Sequence, residues 1–140
     1  MEVFIAKQPI FNKHEAIVAY ELLYRDQRLN AFPNVDADLA SIEVISNALL
    51  SIGMDELTNG KPSIINFTES LLLSNLLESL RTENSVVIEL VKDIEITPRL
   101  INRLIELRTL GYRIAANGTM LLNSSKEVKQ LFSLIHYCSI

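Results

Sequence analysis

The sequence predicts an α/β fold: a partial TIM-like β/α barrel of about six strands that begins with a β-hairpin. Three observations predict it. Two apolar runs near the start are separated by a short polar turn, a hairpin signal. After that, helical periodicities alternate strictly with short apolar runs, the order that gives parallel strands joined by crossover helices. Those runs are continuously apolar, as strands buried on both faces are. A doubly wound sheet shares the last two features. A complete barrel has about 250 residues, and this chain has 140.

The elements follow in order. Residues 3–6 form a first strand and 17–24 a second, joined by a turn at Asn12-Lys13-His14-Glu15. Residues 26–36 are polar and contain Pro33, so they form a loop. Asp36 or Asp38 caps a helix whose apolar stripe is Leu39, Ile42, Ile45, Leu49 and Ile52, with Gly53 at its C-cap. Asn59-Gly60-Lys61-Pro62 is a turn and 63–67 a short strand. Thr68 caps a Leu-rich helix reaching about residue 80, and 86–91 is a strand. Thr97 and Pro98 are an N-cap and a first helical residue, and that helix stops at Gly111. Residues 112–116 are a strand. Ser124 and Glu127 form a capping-box pattern before a helix with Val128, Leu131, Phe132 and Ile135 on one face. Residues 137–140 begin a last strand, and the whole of 1–140 is read as one domain.

Hydrophobic residues make up 49% of the chain and charged residues 21%, enough for a core and against wholesale disorder. A net charge of −4 argues against a nucleic-acid binder and against an anionic membrane surface. The one basic cluster, Arg99, Arg103 and Arg108 with Glu106 among them, reads as a solvated helix face. Cys138 stands alone, which excludes an intrachain disulfide and a four-cysteine zinc site. The start does not read as a signal peptide, and no run approaches the ~18 apolar residues of a membrane span, so a cytoplasmic location is expected.

Three strands carry a polar residue that a core does not favour: Glu21, Asn66 and Glu89. A buried carboxylate needs a partner, solvent or a metal. Asn66 and Glu89 are near the C-terminal ends of their strands, the face where a β/α barrel carries its chemistry. Two carboxylates and an amide oxygen would suit Mg²⁺ or Ca²⁺. The alternative is solvent exposure at a strand end, or pairing with Arg25 or a lysine. His14 and His136 lack partners at metal spacing. Ser124-Ser125 caps a helix and is not set in a nucleophile elbow. A Gly-rich phosphate loop is absent.

Gln8-Pro9-Ile10-Phe11 followed by Tyr20-Glu21-Leu22-Leu23-Tyr24-Arg25 resembles the opening of EAL domains, the cyclic-di-GMP phosphodiesterases. Glu21-Leu22-Leu23 stands where that family has Glu-Ala-Leu. Ile65-Asn66-Phe67-Thr68 is similar to its metal-binding Asn strand, and Val87-Ile88-Glu89-Leu90 to its next metal-binding Glu strand. Gly111-Tyr112-Arg113-Ile114-Ala115 resembles the strand that leads into the family's paired aspartates. The opening is most similar to the EAL halves of EAL–HDOD signalling proteins, many of them catalytically degenerate. The resemblance spans nearly the whole chain.

The departures set the functional expectation. Asn117-Gly118 stands where the family has its Asp-Asp pair, and Lys92 where it often has a further Glu. A two-metal site clamps attacking and leaving oxygens between close cations. An amide and a glycine do not supply the bridging carboxylate it needs. The chain also lacks the family's later catalytic Lys, Glu and Gln motifs. The resemblance therefore implies a truncated, non-catalytic regulatory domain acting through protein–protein interaction. Glu21, Asn66 and Glu89 would be vestigial metal ligands, with no cofactor required and only weak Mg²⁺ or Ca²⁺ binding. A cyclic-di-GMP receptor using Gln8 and Arg25 without hydrolysis is the first rival, and a residual phosphodiesterase the second. Strand edges left open at about the sixth strand lead to an expected homodimer.

Overall fold

The computed structural model describes residues 3–26, 58–80, 83–122 and 125–139. The helix expected from Leu39 to Ile52, with its caps and the loop before it, lies outside the described residues. The chain divides into two compact units, Met1–Ile65 and Asn66–Ile140.

In the first unit, β1 (Val3–Phe11) and β2 (Ile17–Asp26) pair antiparallel. The Asn12 side chain organises the turn between them. Its Oδ1 accepts from the His14 amide at 2.8 Å and the Ala16 amide at 3.1 Å. Glu15 takes the left-handed conformation that closes the turn, with φ of 64°. β1 runs further than its apolar residues suggested. It is the first strand in the sheet order, and an outer strand tolerates the missing amide hydrogen of Pro9. A second turn precedes the next strand. The Thr58 hydroxyl donates to the Lys61 carbonyl at 2.6 Å, and Asn59 and Gly60 have φ of 53° and 77°. β3 (Ser63–Phe67) then pairs parallel to β2, with Tyr20 opposite Ser63 and Glu21 opposite Ile64.

The second unit begins within β3. It continues through α1 (Glu69–Leu73), α2 (Leu76–Leu80), β4 (Val86–Leu90), α3 (Pro98–Thr109) and β5 (Arg113–Asn117). A 3₁₀ turn (Gly118–Leu122), α4 (Lys126–Leu134) and β6 (Tyr137–Ser139) complete it. The strand order is β1-β2-β3-β4-β5-β6, and the β4–β5 and β5–β6 pairings are parallel. This is the order of a partial β/α barrel: a hairpin, then successive β/α units.

The core of this unit lies between strands and helices. Val86, Ile88 and Leu90 are buried, as are Leu100, Leu104 and Leu107 of α3 and Ile114 and Ala116 of β5. Each large aliphatic side chain among them contributes about 1.5–3 kcal/mol by leaving water. Caps set the helix starts. Thr97 Oγ1 accepts from the Leu100 amide at 3.1 Å, and Pro98 follows at the first helical position. Gly111 ends the α3 segment with φ of 108°, a conformation that costs an L-residue strain.

Three local expectations need correction. The Leu-rich helix is two short helices, broken at Ser74-Asn75. Ser74 Oγ donates back to the Leu71 carbonyl at 2.6 Å and accepts from the Leu76 amide at 3.3 Å, so one side chain closes α1 and starts α2. The N-cap of α4 is Ser125, whose Oγ accepts from the Val128 amide at 3.2 Å; Ser124 lies outside the described residues. Phe132 is 65% exposed, because the stripe α4 buries is Val128, Leu131 and Leu134. No helix among the described residues is long and apolar enough to cross a membrane.

Candidate functional site

β3 and β4 share one burial pattern, in which a single half-buried position interrupts a buried run. Those positions are Asn66 and Glu89. The Val91 amide donates to the Phe67 carbonyl at 3.1 Å, a parallel ladder step that sets Asn66 beside Glu89. Glu89 is in turn opposite Ala115, with Asn117 two residues further along β5. Register neighbours share a face of the sheet and alternate residues along a strand return to it. Asn66, Glu89 and Asn117 therefore occupy one face toward the C-terminal ends of their strands, as expected for Asn66 and Glu89.

Asn117 is committed locally. Its Oδ1 accepts from the Thr119 amide at 2.9 Å and the Thr119 hydroxyl at 2.8 Å. These bonds lead the chain from β5 into the 3₁₀ turn that begins at Gly118. Lys92 is exposed. In the first unit, half-buried Glu21 is the register partner of Gln8, which is exposed. Arg25 pairs with Phe4 along the hairpin, and its side chain lies outside what the structure describes.

Among the described residues of the second unit, one amide and one carboxylate thus share this face, oxygen donors of the kind a hard cation takes. Gly118 supplies no side chain, and the lone pairs of Asn117 Oδ1 are already engaged. Among the described residues, no group of three or more His, Cys, Asp and Glu could hold a metal ion.

Two clusters escaped the sequence reading. Arg103, read as part of a solvated face, is 9% exposed. Its Nε donates to the Leu72 carbonyl at 2.6 Å, and its terminal nitrogens reach the Ser74 carbonyl at 3.0 Å, Glu78 Oε1 at 2.5 Å and Glu106 Oε2 at 3.1 Å. The Arg103 hydrogen bond holds the Glu78 carboxyl below its usual range. Burial pulls the Arg103 guanidinium down, and its bonds to Glu78 and Glu106 outweigh that and leave it raised. A groove of about 570 Å³ lined by Asn75, Glu78, Arg99, Asn102 and Glu106 lies beside this cluster, at the helices and away from the strand ends. The i, i+3 spacing of Arg103 and Glu106 was the one visible hint.

The second cluster surrounds His136. The Ile114 amide donates to His136 Nδ1 at 3.2 Å, and the His136 amide donates to the Ile114 carbonyl at 2.7 Å. Desolvation, then the charges of Arg108 and Arg113, lowers the imidazole below its ordinary value of 6.5. Arg113 also donates to the Tyr137 hydroxyl at 3.1 Å. No spacing rule in the sequence signals this pair, since residues 22 positions apart meet through strand pairing.

No protein-family model matches the chain. It is 44% identical over 142 residues to the uncharacterized protein YuxH of Bacillus subtilis (strain 168), a match covering 100% of this chain and 34% of YuxH. It is 34% identical over 113 residues to the cyclic di-GMP phosphodiesterase CdgJ of Vibrio cholerae serotype O1, covering 80% of this chain and 26% of CdgJ. The chain thus spans about a third or less of the length of these relatives. Among solved structures, the EAL enzyme Bd1971 with cAMP and cyclic-di-GMP bound aligns with a TM-score of 0.67 at 21% identity, over 99% of this chain and 46% of that one. The Bacillus subtilis YkuI protein, which has an EAL domain and is in complex with its substrate c-di-GMP and calcium, aligns at 0.54 and 19%, over 94% and 39%. At these identities the likeness is one of fold. The chain is EAL-like: it has the fold of part of an EAL domain and is homologous to a cyclic di-GMP phosphodiesterase.

Proposed function

We propose that the chain is a non-catalytic signalling domain derived from a cyclic-di-GMP phosphodiesterase, acting through protein–protein interaction. One observation carries this reading. At the end of β5, where the family resemblance calls for two aspartates, the chain has Asn117 with its oxygen bound to Thr119, and Gly118 with no ligand at all. A bound cation would supply Lewis-acid charge beside a phosphate. Asn66 and Glu89 would hold it, and the resemblance adds Glu21. Without the bridging carboxylate, two close cations lose the negative charge that lets them coexist. Cyclic-di-GMP incubated with the full chain and Mg²⁺ or Mn²⁺ should remain intact by chromatography. Hydrolysis above a no-protein blank that Glu89→Ala abolishes sinks this reading. The interaction partner is a second copy or another signalling protein. Sedimentation tests the first, and a species at the mass of one chain across micromolar concentrations rules it out.

A receptor that binds cyclic-di-GMP without cleaving it is the second reading. Exposed Gln8 beside Glu21 favours it, as do the cyclic-di-GMP complexes of the two structural neighbours. Calorimetric titration with cyclic-di-GMP separates the two. Saturable binding lost in Gln8→Ala supports the receptor, and the absence of heat supports the interaction module.

A further inference from the structure

We infer that β6 is held against β5 by a proton-sensitive clasp, formed by His136 on the Ile114 peptide unit. The geometry is reciprocal. The His136 amide donates to the Ile114 carbonyl at 2.7 Å, and the His136 imidazole accepts from the Ile114 amide at 3.2 Å. One residue thus satisfies both polar groups of Ile114, whose side chain is fully buried. The imidazole stands where a ladder carbonyl would otherwise accept.

The acceptor role fixes the protonation state. Nδ1 accepts only if its lone pair is free, so the imidazole is neutral and carries its proton on Nε2. A proton taken from solvent at Nδ1 makes both ring nitrogens donors. An N–H then points at the Ile114 N–H, and a buried donor loses its partner. Among the described residues, the charges acting on the ring are Arg108 from α3 and Arg113 from β5, and both oppose protonation. The carbonyl end of α4 acts in the other direction. Arg108 Nη1 takes one of those carbonyls, that of Ser133, at 3.2 Å. From β6, the Tyr137 hydroxyl is engaged by Arg113.

The consequence reaches the functional face. β6 pairs Tyr137 with Ala115, Cys138 with Ala116 and Ser139 with Asn117. Opening the clasp loosens a three-residue strand that borders Asn117. Acidification would then free β6 while the α3 core stays closed. Both arginines and the histidine belong to this chain, so the device needs neither a ligand nor either functional reading above.

Amide exchange of the full chain, followed by NMR from about pH 5 to 8, tests it. Protection of the Ile114 amide, corrected for intrinsic exchange, should be flat above the imidazole's ordinary value of 6.5, fall by up to about tenfold per pH unit as pH drops below it, and level off below the lowered folded value. The β6 amides should follow it, and the Leu104 amide of α3 should not. In His136→Gln, whose amide oxygen accepts but does not titrate, the profile should be flat. A flat wild-type profile, an equal fall in the variant, or a parallel fall at Leu104 would overturn the clasp. Should the variant fail to fold, ¹⁵N titration of the wild-type imidazole decides: Nδ1 protonation and the Ile114 amide shift must share one midpoint, and different midpoints overturn it.

Discussion

The Nε atom of Arg103 donates to the carbonyl of Leu72 at 2.6 Å, within the segment where one helix ends and the next begins. A helix end leaves its last carbonyls without partners. Here Arg103, reaching from α3, takes the Leu72 and Ser74 carbonyls and ties them to Glu78 and Glu106. The break in the Leu-rich helix is therefore stabilised from outside its own sequence. Arg103→Ala should lower unfolding stability by about 2–4 kcal/mol, toward the low side because Glu78 and Glu106 keep access to water. Arg103→Lys should recover less than half, since an ammonium cannot reproduce the planar fork. Urea unfolding of the three proteins checks this, and equal midpoints would refute it.

The same cluster sets a dependence on acid. Glu78 is held below its ordinary value of 4.5 in the folded chain, first by the Arg103 hydrogen bond. The unfolded chain then binds the proton more readily. The contribution is fully present above pH 4.5 and is lost as pH falls through the depressed folded value. Glu78→Gln should flatten that part of the stability–pH curve and leave the region above it parallel to wild type. Denaturation midpoints measured across the acid range report it.

Tyr112 is 1% exposed, and its hydroxyl donates to the Leu77 carbonyl at 2.6 Å, tying the start of β5 to α2. Tyr112→Phe leaves a buried carbonyl short of a donor, and should cost about 1–2 kcal/mol with little change in packing. Thermal unfolding followed by circular dichroism measures the loss. An unchanged melting temperature would mean that water replaces the hydroxyl.

Restoring carboxylates should restore affinity for hard cations. Asn117→Asp with Gly118→Asp places two acids one and two residues beyond Ala116, at the end of the strand whose Ala115 pairs with Glu89 and at the first residue of the 3₁₀ turn. Mg²⁺ or Mn²⁺ titrated into the double variant should bind at least tenfold more tightly than into wild type, with Glu89→Ala reversing the gain. Equal affinities would mean that this strand end does not shape a cation site.

The hairpin, the strand order and the starts of α1 and α3 were legible in the sequence because each depends on local rules. Asn12 fixes a turn through its own side chain, Thr97-Pro98 caps a helix, and continuous apolar runs mark strands buried on both faces. The positions of Asn66 and Glu89 were legible too, since a polar residue late in an apolar strand is visible without coordinates. The tertiary structure decided what depends on partners distant in sequence. Arg103 has the composition of a solvated helix face. It is buried because the interrupted helix offers two carbonyls and a carboxylate that match its donors. Phe132 has the spacing of a core residue and is exposed, because the buried stripe of α4 runs through Val128, Leu131 and Leu134 instead. His136 looked like an isolated histidine at a helix end. Strand pairing alone brings its ring to the Ile114 amide, since hydrogen bonds between residues 22 positions apart leave no periodicity to read.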